Sequence, residues 1–256
     1  MFHSYVAIGD SFSEGMGDNL PGDRVRGWAD LVALGLSLAA EEPVRYANLA
    51  IRGKKLDPII DEQLDRAIAL GPELMSINGG GNDIMRPRIS IDHVADRLLG
   101  AVETARAAGI HVLLLSGANP SEQMPMGSLM SSRGDVLARK VMERAPREGV
   151  TVVDNWSDEG LRDARYWSVD RIHLNPQGHA RVAANVLRGL GVAVPESWGV
   201  EAVAQAPAMP PARRDRAYYR EHVLPWIGRR LTGRSSGDGR LPKYATLEPV
   251  SVLPPA

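Results

Sequence analysis

The strongest constraint on the fold is an alternation between short apolar runs and longer segments in which apolar residues recur every three or four positions. Such runs predict buried strands, and the periodic segments predict helices. The predicted strands are residues 4–9, 43–47, 73–78, 110–116 and 150–153. The predicted helices are residues 28–40, 56–70, 91–108, 128–147 and 177–189. Strands that alternate with helices indicate repeated βα units around a parallel sheet.

This order of elements predicts an α/β fold of the flavodoxin-like type. We expect a three-layer sandwich, in which helices cover both faces of a five-stranded parallel sheet with strand order 2-1-3-4-5. A barrel of eight βα units is the alternative, but it needs more strands than the chain supplies before residue 195. Doubly wound sheets carry their functional groups in loops that follow the carboxyl ends of the strands. Candidate site residues are therefore expected in those loops.

A change in composition near residue 195 divides the chain into two parts. Residues 1–195 have an excess of acidic side chains and are expected to form the α/β domain, whereas residues 196–256 have an excess of basic ones. The second part is predicted to contain a Pro/Ala-rich linker (202–212), an amphipathic basic helix (213–231) and an irregular tail. Its charge favours docking on the acidic domain, and a helix that binds membrane surfaces or nucleic acid is the alternative.

Composition excludes several classes of protein. The chain has no cysteine, which rules out disulfides, thiolate metal sites and cysteine nucleophiles. Its net charge of -1 gives no bulk attraction to nucleic acid or anionic lipid. No secretory signal or apolar stretch of membrane-spanning length occurs in it, so we expect a cytoplasmic protein that binds no nucleic acid and does not insert stably into membranes. No histidine pair at helical spacing has a third ligand nearby, so we expect no metal.

The first segment with chemical potential follows the first predicted strand. Residues 9–15 read GDSFSEG, and their glycines permit a sharp turn that would leave the hydroxyl of Ser11 exposed. A serine in this position could be a nucleophile. The alternative is that Ser11 simply caps the amino terminus of the next helix, because serine and aspartate are common there.

A second segment, residues 170–173 (DRIH), precedes the last predicted helix. Three residues of separation in a tight turn let the carboxylate of Asp170 reach the nearer ring nitrogen of His173. This contact would fix the tautomer of the ring and leave its other nitrogen free to deprotonate a serine. The pair would supply two thirds of a catalytic triad, although an isolated aspartate beside a surface histidine is also common.

Two further loops lie between these segments: residues 48–53 (NLAIRG) after the second strand and residues 79–83 (GGGND) after the third. In a sheet ordered 2-1-3-4-5 both would lie beside Ser11. Acyl transfer places negative charge on a carbonyl oxygen, and glycine amides or an asparagine side chain can donate hydrogen bonds to it. Plain turns are the alternative for both loops, and the triple glycine lacks the Lys-Ser/Thr of a nucleotide-binding P-loop.

These four segments, in this order, resemble the conserved blocks of the SGNH hydrolases, also called the GDSL esterase/lipase family. The resemblance covers about residues 4–190, with Phe12 where the family name has leucine. It implies Ser11 as the nucleophile, His173 as the general base and Asp170 as the residue that orients it. It also implies that the Ser11 N–H, the Gly53 N–H and the Asn82 side chain form the oxyanion hole. Asp10 and Asp83 are expected to order their loops through backbone N–H groups.

The resemblance implies a serine hydrolase that cleaves carboxylic esters of small molecules through a covalent acyl-enzyme and needs no cofactor. Few aromatic residues and no anchoring stretch favour soluble short-chain acyl or acetyl esters. A carbohydrate acetylesterase or an acyltransferase is the alternative within enzymes, because fold and triad would serve both. A binding module that has lost turnover is the alternative outside them, and the complete set of chemical residues disfavours it.

Overall fold

The computed structural model describes residues 1–40, 42–124, 127–198, 220 and 235–250. At its centre lie five parallel strands, each close to its predicted position. They are β1 (Ser4–Ile8), β4 (Arg45–Asn48), β5 (Leu74–Ile77), β6 (His111–Leu115) and β7 (Val150–Val153). Their order across the sheet is β7-β6-β5-β1-β4, which is the predicted 2-1-3-4-5 order with β1 between β4 and β5. The α/β fold expected from the sequence is confirmed.

Helices cover both faces of this sheet, because both faces of its strands are apolar. One face packs against α2 (Trp28–Ala40) and α8 (Pro176–Gly189), and Tyr5 and Ala7 of β1 point into that layer. The opposite face packs against α6 (Ile91–Ala107) and α7 (Gly127–Arg144), and Val6 and Ile8 point into that layer. Alternate side chains of β1 therefore enter two separate hydrophobic cores.

The predicted helix over residues 56–70 is interrupted. It consists of α3 (Leu56–Ile59), a wide π turn (Ile60–Leu64) and α4 (Asp65–Ala69). The wide turn contains the buried Gln63, whose Oε1 accepts from Gly9 N at 2.8 Å and whose Nε2 donates to Gly9 O at 3.0 Å. Helical periodicity does not reveal a single wide turn, and such turns are frequent at functional sites. This one binds Gly9, the residue that directly follows β1.

A sixth strand, β8 (Tyr244–Pro249), corrects the expected strand count and the expectation of an irregular tail. It pairs antiparallel with the edge strand β4, with Tyr244 opposite Asn48 and Glu248 opposite Tyr46. Most of its side chains are exposed, so it is held by backbone hydrogen bonds and its residues show no apolar alternation. That is why periodicity missed it. A separate small hairpin consists of β2 (Asn19–Leu20) and β3 (Arg24–Val25).

The predicted linker (202–212) lies outside the described residues, and so does the predicted basic helix (213–231) apart from Arg220. None of the helices in the described part of the chain has the length and apolarity needed to cross a membrane.

Candidate active site

Ser11 lies just beyond the carboxyl end of β1, where the chain leaves the sheet. Gly9 has a φ of 152°, and a Cβ atom there would lie 2.9 Å from Asn78 O, so the tight exit from β1 requires glycine. Asp10, rather than Ser11, caps the short helix α1 (Ser11–Glu14), since its Oδ1 accepts from Phe12 N at 3.0 Å. The capping alternative for Ser11 is therefore not what the structure shows. Ser11 is the first helical residue and is partly exposed.

The expected contact between Asp170 and His173 is present. Asp170 Oδ2 lies 2.6 Å from His173 Nδ1. Asp170 Oδ1 accepts from Ser168 Oγ at 2.6 Å and from the backbone N–H groups of Ile172 and His173 at 3.0 Å each. Arg171 adopts a left-handed φ of 59° at the centre of this turn, a conformation uncommon for a residue with a side chain. The turn therefore fixes the carboxylate against the ring.

These contacts determine the charge of the carboxylate. Burial raises the pKa of Asp170, but the hydrogen bond and charge of His173 and the donors Ser168 and Ile172 outweigh burial and hold that pKa well below its ordinary value. Asp170 is therefore ionised at neutral pH, and its Oδ2 accepts a proton-bearing Nδ1. This arrangement leaves Nε2 of His173 as the nitrogen that can accept a proton.

Ser11, Asn82 and His173 line one cavity, with about 1080 Å³ of space not filled by atoms, including its opening to solvent. Asp10 and Gly81 also lie at its polar end, and most of the remaining wall is apolar. The apolar wall includes Ile84, Leu98, Leu114, Met130, Leu137 and Trp156. No hydrogen bond joins Ser11 Oγ to the His173 ring among the described contacts, although catalytic hydrogen bonds are often long before substrate binds. Nucleophile and base candidates thus share one pocket.

Asn82 lies in α5 (Gly81–Ile84), directly after the third parallel strand. Its Nδ2 donates to Lys54 O at 2.9 Å and to Asp10 Oδ2 at 3.1 Å. Burial raises the pKa of Asp10 to about 6, although its hydrogen bond with Phe12 N acts in the opposite direction. Asp83 Oδ2 accepts from Leu56 N at 2.9 Å. Asp10 and Asp83 therefore bind backbone N–H groups, as expected.

Gly53 does not lie among the residues that line this cavity. It has a φ of 73°, and a Cβ atom there would lie 2.3 Å from Ser235 Oγ of the C-terminal segment. The structure therefore brings Ser11, Asn82 and His173 to one cavity, with Asp170 bound to the His173 ring, and it does not place Gly53 in the cavity wall.

A partly buried ion pair between Glu14 and Arg52 connects α1 to the loop of Gly53, and sequence analysis assigned it no role. Glu14 Oε2 accepts from Arg52 N at 2.6 Å, and Glu14 Oε1 accepts from the Arg52 guanidinium Nη2 at 2.5 Å. Asn48 adds a second connection, because its Nδ2 donates to Ser13 O at 2.9 Å. Both residues of the pair stand within the motif segments, but only the fold shows that the two segments are paired.

His179 has a structural place in the core. It is fully buried, its Nδ1 accepts from Trp28 N at 3.1 Å, and its Nε2 lies 3.0 Å from Met16 O. The two contacts require a neutral ring with its proton on Nε2. Burial, the main cause, lowers the pKa of His179 to about 3.

Comparison with solved structures gives the same fold. A lipase, Lip_vut3, from a goat rumen metagenome superposes with a TM-score of 0.63 at 19% identity, covering 73% of this chain and 96% of that one. The acetylxylan esterase Axe2 from Geobacillus stearothermophilus superposes with a TM-score of 0.60 at 22% identity, covering 76% of this chain and 97% of that one. LAE5, an α/β hydrolase enzyme from the metagenome of Lake Arreo, Spain, superposes with a TM-score of 0.59 at 22% identity, covering 74% of this chain and 95% of that one.

Comparison with curated proteins found no match. The model of the GDSL-like lipase/acylhydrolase family matches residues 7–181, which include Ser11, Gly53, Asn82, Asp170 and His173. The resemblance seen in the four sequence segments is confirmed. The chain belongs to the GDSL-like lipase/acylhydrolase family and is a carboxylic ester hydrolase.

Proposed function

We propose that this enzyme hydrolyses small-molecule carboxylic esters through a Ser-His-Asp triad and a covalent acyl-enzyme. Ser11 Oγ attacks the ester carbonyl while His173 Nε2 takes its proton, and the protonated ring then delivers that proton to the leaving alcohol. Water, deprotonated by the same nitrogen, then attacks the acyl carbonyl, and the ring returns the proton to Ser11 Oγ as the carboxylic acid leaves. The observation that carries this proposal is the 2.6 Å contact of Asp170 with His173 beside a cavity that Ser11 and His173 share.

Three donors are proposed for the developing oxyanion: Ser11 N–H, Gly53 N–H and Asn82 Nδ2. Neither backbone N–H meets an acceptor among the described residues, which leaves both available to substrate. Lys54 O holds one hydrogen of the Asn82 amide, and the hydrogen now directed at Asp10 is the one we assign to the oxyanion. The role of Gly53 rests on the family resemblance, and it needs the loop of residues 51–53 to lie close to α1.

For the substrate, we propose a short-chain acyl group that occupies the apolar part of the cavity. Apolar walls behind a polar reaction centre suit an acyl chain whose carbonyl lies at Ser11. A carbohydrate acetylesterase is the second candidate, because one structural neighbour is an acetylxylan esterase. An acyltransferase uses the same acyl-enzyme with an alcohol in place of water, so product analysis separates it from a hydrolase.

The test is hydrolysis of p-nitrophenyl esters from acetate to palmitate, and of acetylated xylo-oligosaccharides, by the wild type and Ser11→Ala. We expect turnover with a short-chain optimum that Ser11→Ala abolishes. Ser132→Ala is the matched control, since this serine of α7 is exposed and its hydroxyl donates to Leu129 O of its own helix. Equal activity of the wild type and Ser11→Ala would refute the assignment of the nucleophile. A folded wild type without turnover on any ester would favour the binding module.

A further inference from the structure

A C-terminal segment outside the family match lies against the proposed oxyanion hole. The family model ends at residue 181, yet residues 235–250 return to the domain and add β8 to the sheet beside β4. The strand is continued by a backbone hydrogen bond from Val250 N to Val44 O at 2.9 Å. Because β4 leads into the loop that contains Gly53, this segment is attached to the strand from which that loop departs.

Lys243, just before β8, places its ammonium group among elements of the domain. Its Nζ donates to Asp30 Oδ2 at 2.6 Å, to Val25 O at 3.3 Å and to the carbonyl oxygen of Glu14. The side chain of Asp30 is 1% exposed, so this is an ion pair in the interior. An ammonium group has three hydrogens, and here they serve three acceptors on three elements. One of these acceptors, Glu14 O, belongs to the last residue of the helix that begins with Ser11.

The same glutamate connects the contact to the oxyanion loop. The Glu14 carboxylate accepts both the backbone N–H and the guanidinium of Arg52, the residue before Gly53. Lys243 therefore binds the backbone carbonyl of Glu14, and the side chain of Glu14 binds Arg52 in the loop of Gly53. A shift of Glu14 would move Arg52 with it, because the ion pair is partly buried and both Nε and Nη2 of the guanidinium bind the carboxylate.

A direct contact completes the arrangement. A Cβ atom on Gly237 would lie 2.1 Å from Arg52 O, and one on Gly53 would lie 2.3 Å from Ser235 Oγ. Residues 235–237 thus pack directly on residues 52 and 53. The φ of Gly237 does not lie in the left-handed region, so glycine is required there by the close approach to Arg52 and not by the backbone conformation.

We propose that residues 235–250 form a C-terminal clasp that positions the loop of Gly53 against the helix of Ser11, with Lys243 and Gly237 as positioning residues. The inference rests on the proposed function, in which Ser11 N–H and Gly53 N–H donate to one oxyanion. These donors belong to different segments, so their separation depends on what holds the segments together. The clasp contacts both: Lys243 binds α1, and Gly237 packs on the loop.

The first test is Lys243→Met, with Lys140→Met as its control, since Lys140 forms a surface ion pair with Asp92. Misplacement of a reacting group by about 1 Å costs about a hundredfold in rate, so we expect kcat on the best p-nitrophenyl ester to fall by roughly ten- to a hundredfold. KM should stay within about twofold, because an oxyanion hole acts on the transition state. A purely structural role would lower melting temperature and active fraction without changing kcat per active site.

Two further variants guard against a simple loss of folding. Lys243→Met leaves the buried carboxylate of Asp30 without its cation. The double variant Asp30→Asn/Lys243→Met removes that charge, so its melting temperature should return toward the wild-type value while its kcat stays low. Gly237→Ala places a methyl group against Arg52 O, and it should lower kcat without a comparable change in KM. Gly100→Ala is its control, because nothing lies within 4 Å of a Cβ atom there.

Active sites are counted by titration with a fluorophosphonate that labels Ser11. Wild-type kcat per labelled site in both the double variant and Gly237→Ala would overturn the clasp and leave the esterase proposal intact. If Lys243→Met fails to fold, the double variant and Gly237→Ala decide the question in the same way. An inactive wild type, equal to Ser11→Ala, would instead refute the proposed function and the clasp with it.

Discussion

Asp170→Asn should separate the catalytic role of the Asp170 carboxylate from its structural role. Oδ1 binds Ser168 Oγ and the N–H groups of Ile172 and His173, whereas Oδ2 faces His173 Nδ1. An asparagine can keep its oxygen at the Oδ1 position and satisfy the turn. Its amide nitrogen then replaces Oδ2 and carries hydrogens, so it can donate to Nδ1 but cannot accept from it. The ring must move its proton to Nε2, the nitrogen proposed to accept the proton of Ser11.

A ring protonated on Nε2 cannot take a proton from Ser11. The analogous substitution in a serine protease triad lowers kcat by about ten thousandfold, equivalent to about 5.4 kcal/mol of transition-state stabilisation. We expect a loss of that order here, with KM nearly unchanged and a melting temperature close to that of the wild type. Asp170→Ala should lose activity too, but it also removes the acceptor of the turn and should lower the melting temperature.

The assay is kcat and KM on p-nitrophenyl acetate at pH 8, together with thermal unfolding. Asp163→Asn provides the control, because Asp163 also caps a turn, accepting from Arg165 N at 2.9 Å, but lies at the surface. It should keep wild-type kcat. If Asp170→Asn kept more than about a tenth of wild-type kcat while remaining folded, the tautomer argument would be wrong, and another group would have to orient the base.

Three further predictions concern stability. Gly134→Ala should lower the free energy of unfolding in urea by about 1–3 kcal/mol, because its Cβ atom would lie 1.9 Å from the Trp156 ring; an unchanged midpoint would contradict the packing. Burial lowers the pKa of His179 to about 3, so the folded protein needs the ring to be neutral. The free energy of unfolding should therefore fall as the pH decreases from about 6.5, by up to about 1.4 kcal/mol per pH unit. His179→Asn should remove this pH dependence of the free energy of unfolding. The pKa of Asp10 is raised to about 6, so its contribution to the free energy of unfolding is greatest below about pH 4 and is lost as the pH rises through 6. Asp10→Asn should remove this pH dependence, and a variant whose free energy of unfolding changes with pH as in the wild type would contradict the prediction.

The parallel sheet and the grouping of Ser11, Asn82 and His173 at one cavity could be predicted, because both depend on local sequence patterns. Each parallel strand is a short apolar run between turns, and helices on both faces explain why those runs are continuous. Ser11, Asn82 and the pair Asp170–His173 follow strands or precede α8, and a parallel sheet gathers strand ends at one edge. Separation by three residues was enough to predict the contact of Asp170 with His173.

What sequence analysis missed depends on contacts between distant segments. β8 has mostly exposed side chains, so nothing in its composition marks a strand. Gln63, on the wide turn, reaches Gly9 across 54 positions, and Lys243 reaches Asp30 across 213. Such contacts leave no periodic signal, because each depends on where the fold brings one side chain.

Asp10 and Asp170 show why proximity to a motif residue does not define a role. Each carboxylate lies within three residues of a proposed catalytic group, and burial raises the pKa of each. The difference lies in the donors. Asp10 accepts from Phe12 N and the Asn82 amide, and its pKa stays raised, at about 6. Asp170 accepts from a hydroxyl, two backbone N–H groups and the His173 ring, and its pKa is driven below the ordinary value. A carboxylate that stays ionised beside the ring can stabilise the imidazolium that forms when Ser11 attacks, so Asp170, and not Asp10, is suited to that part of the reaction.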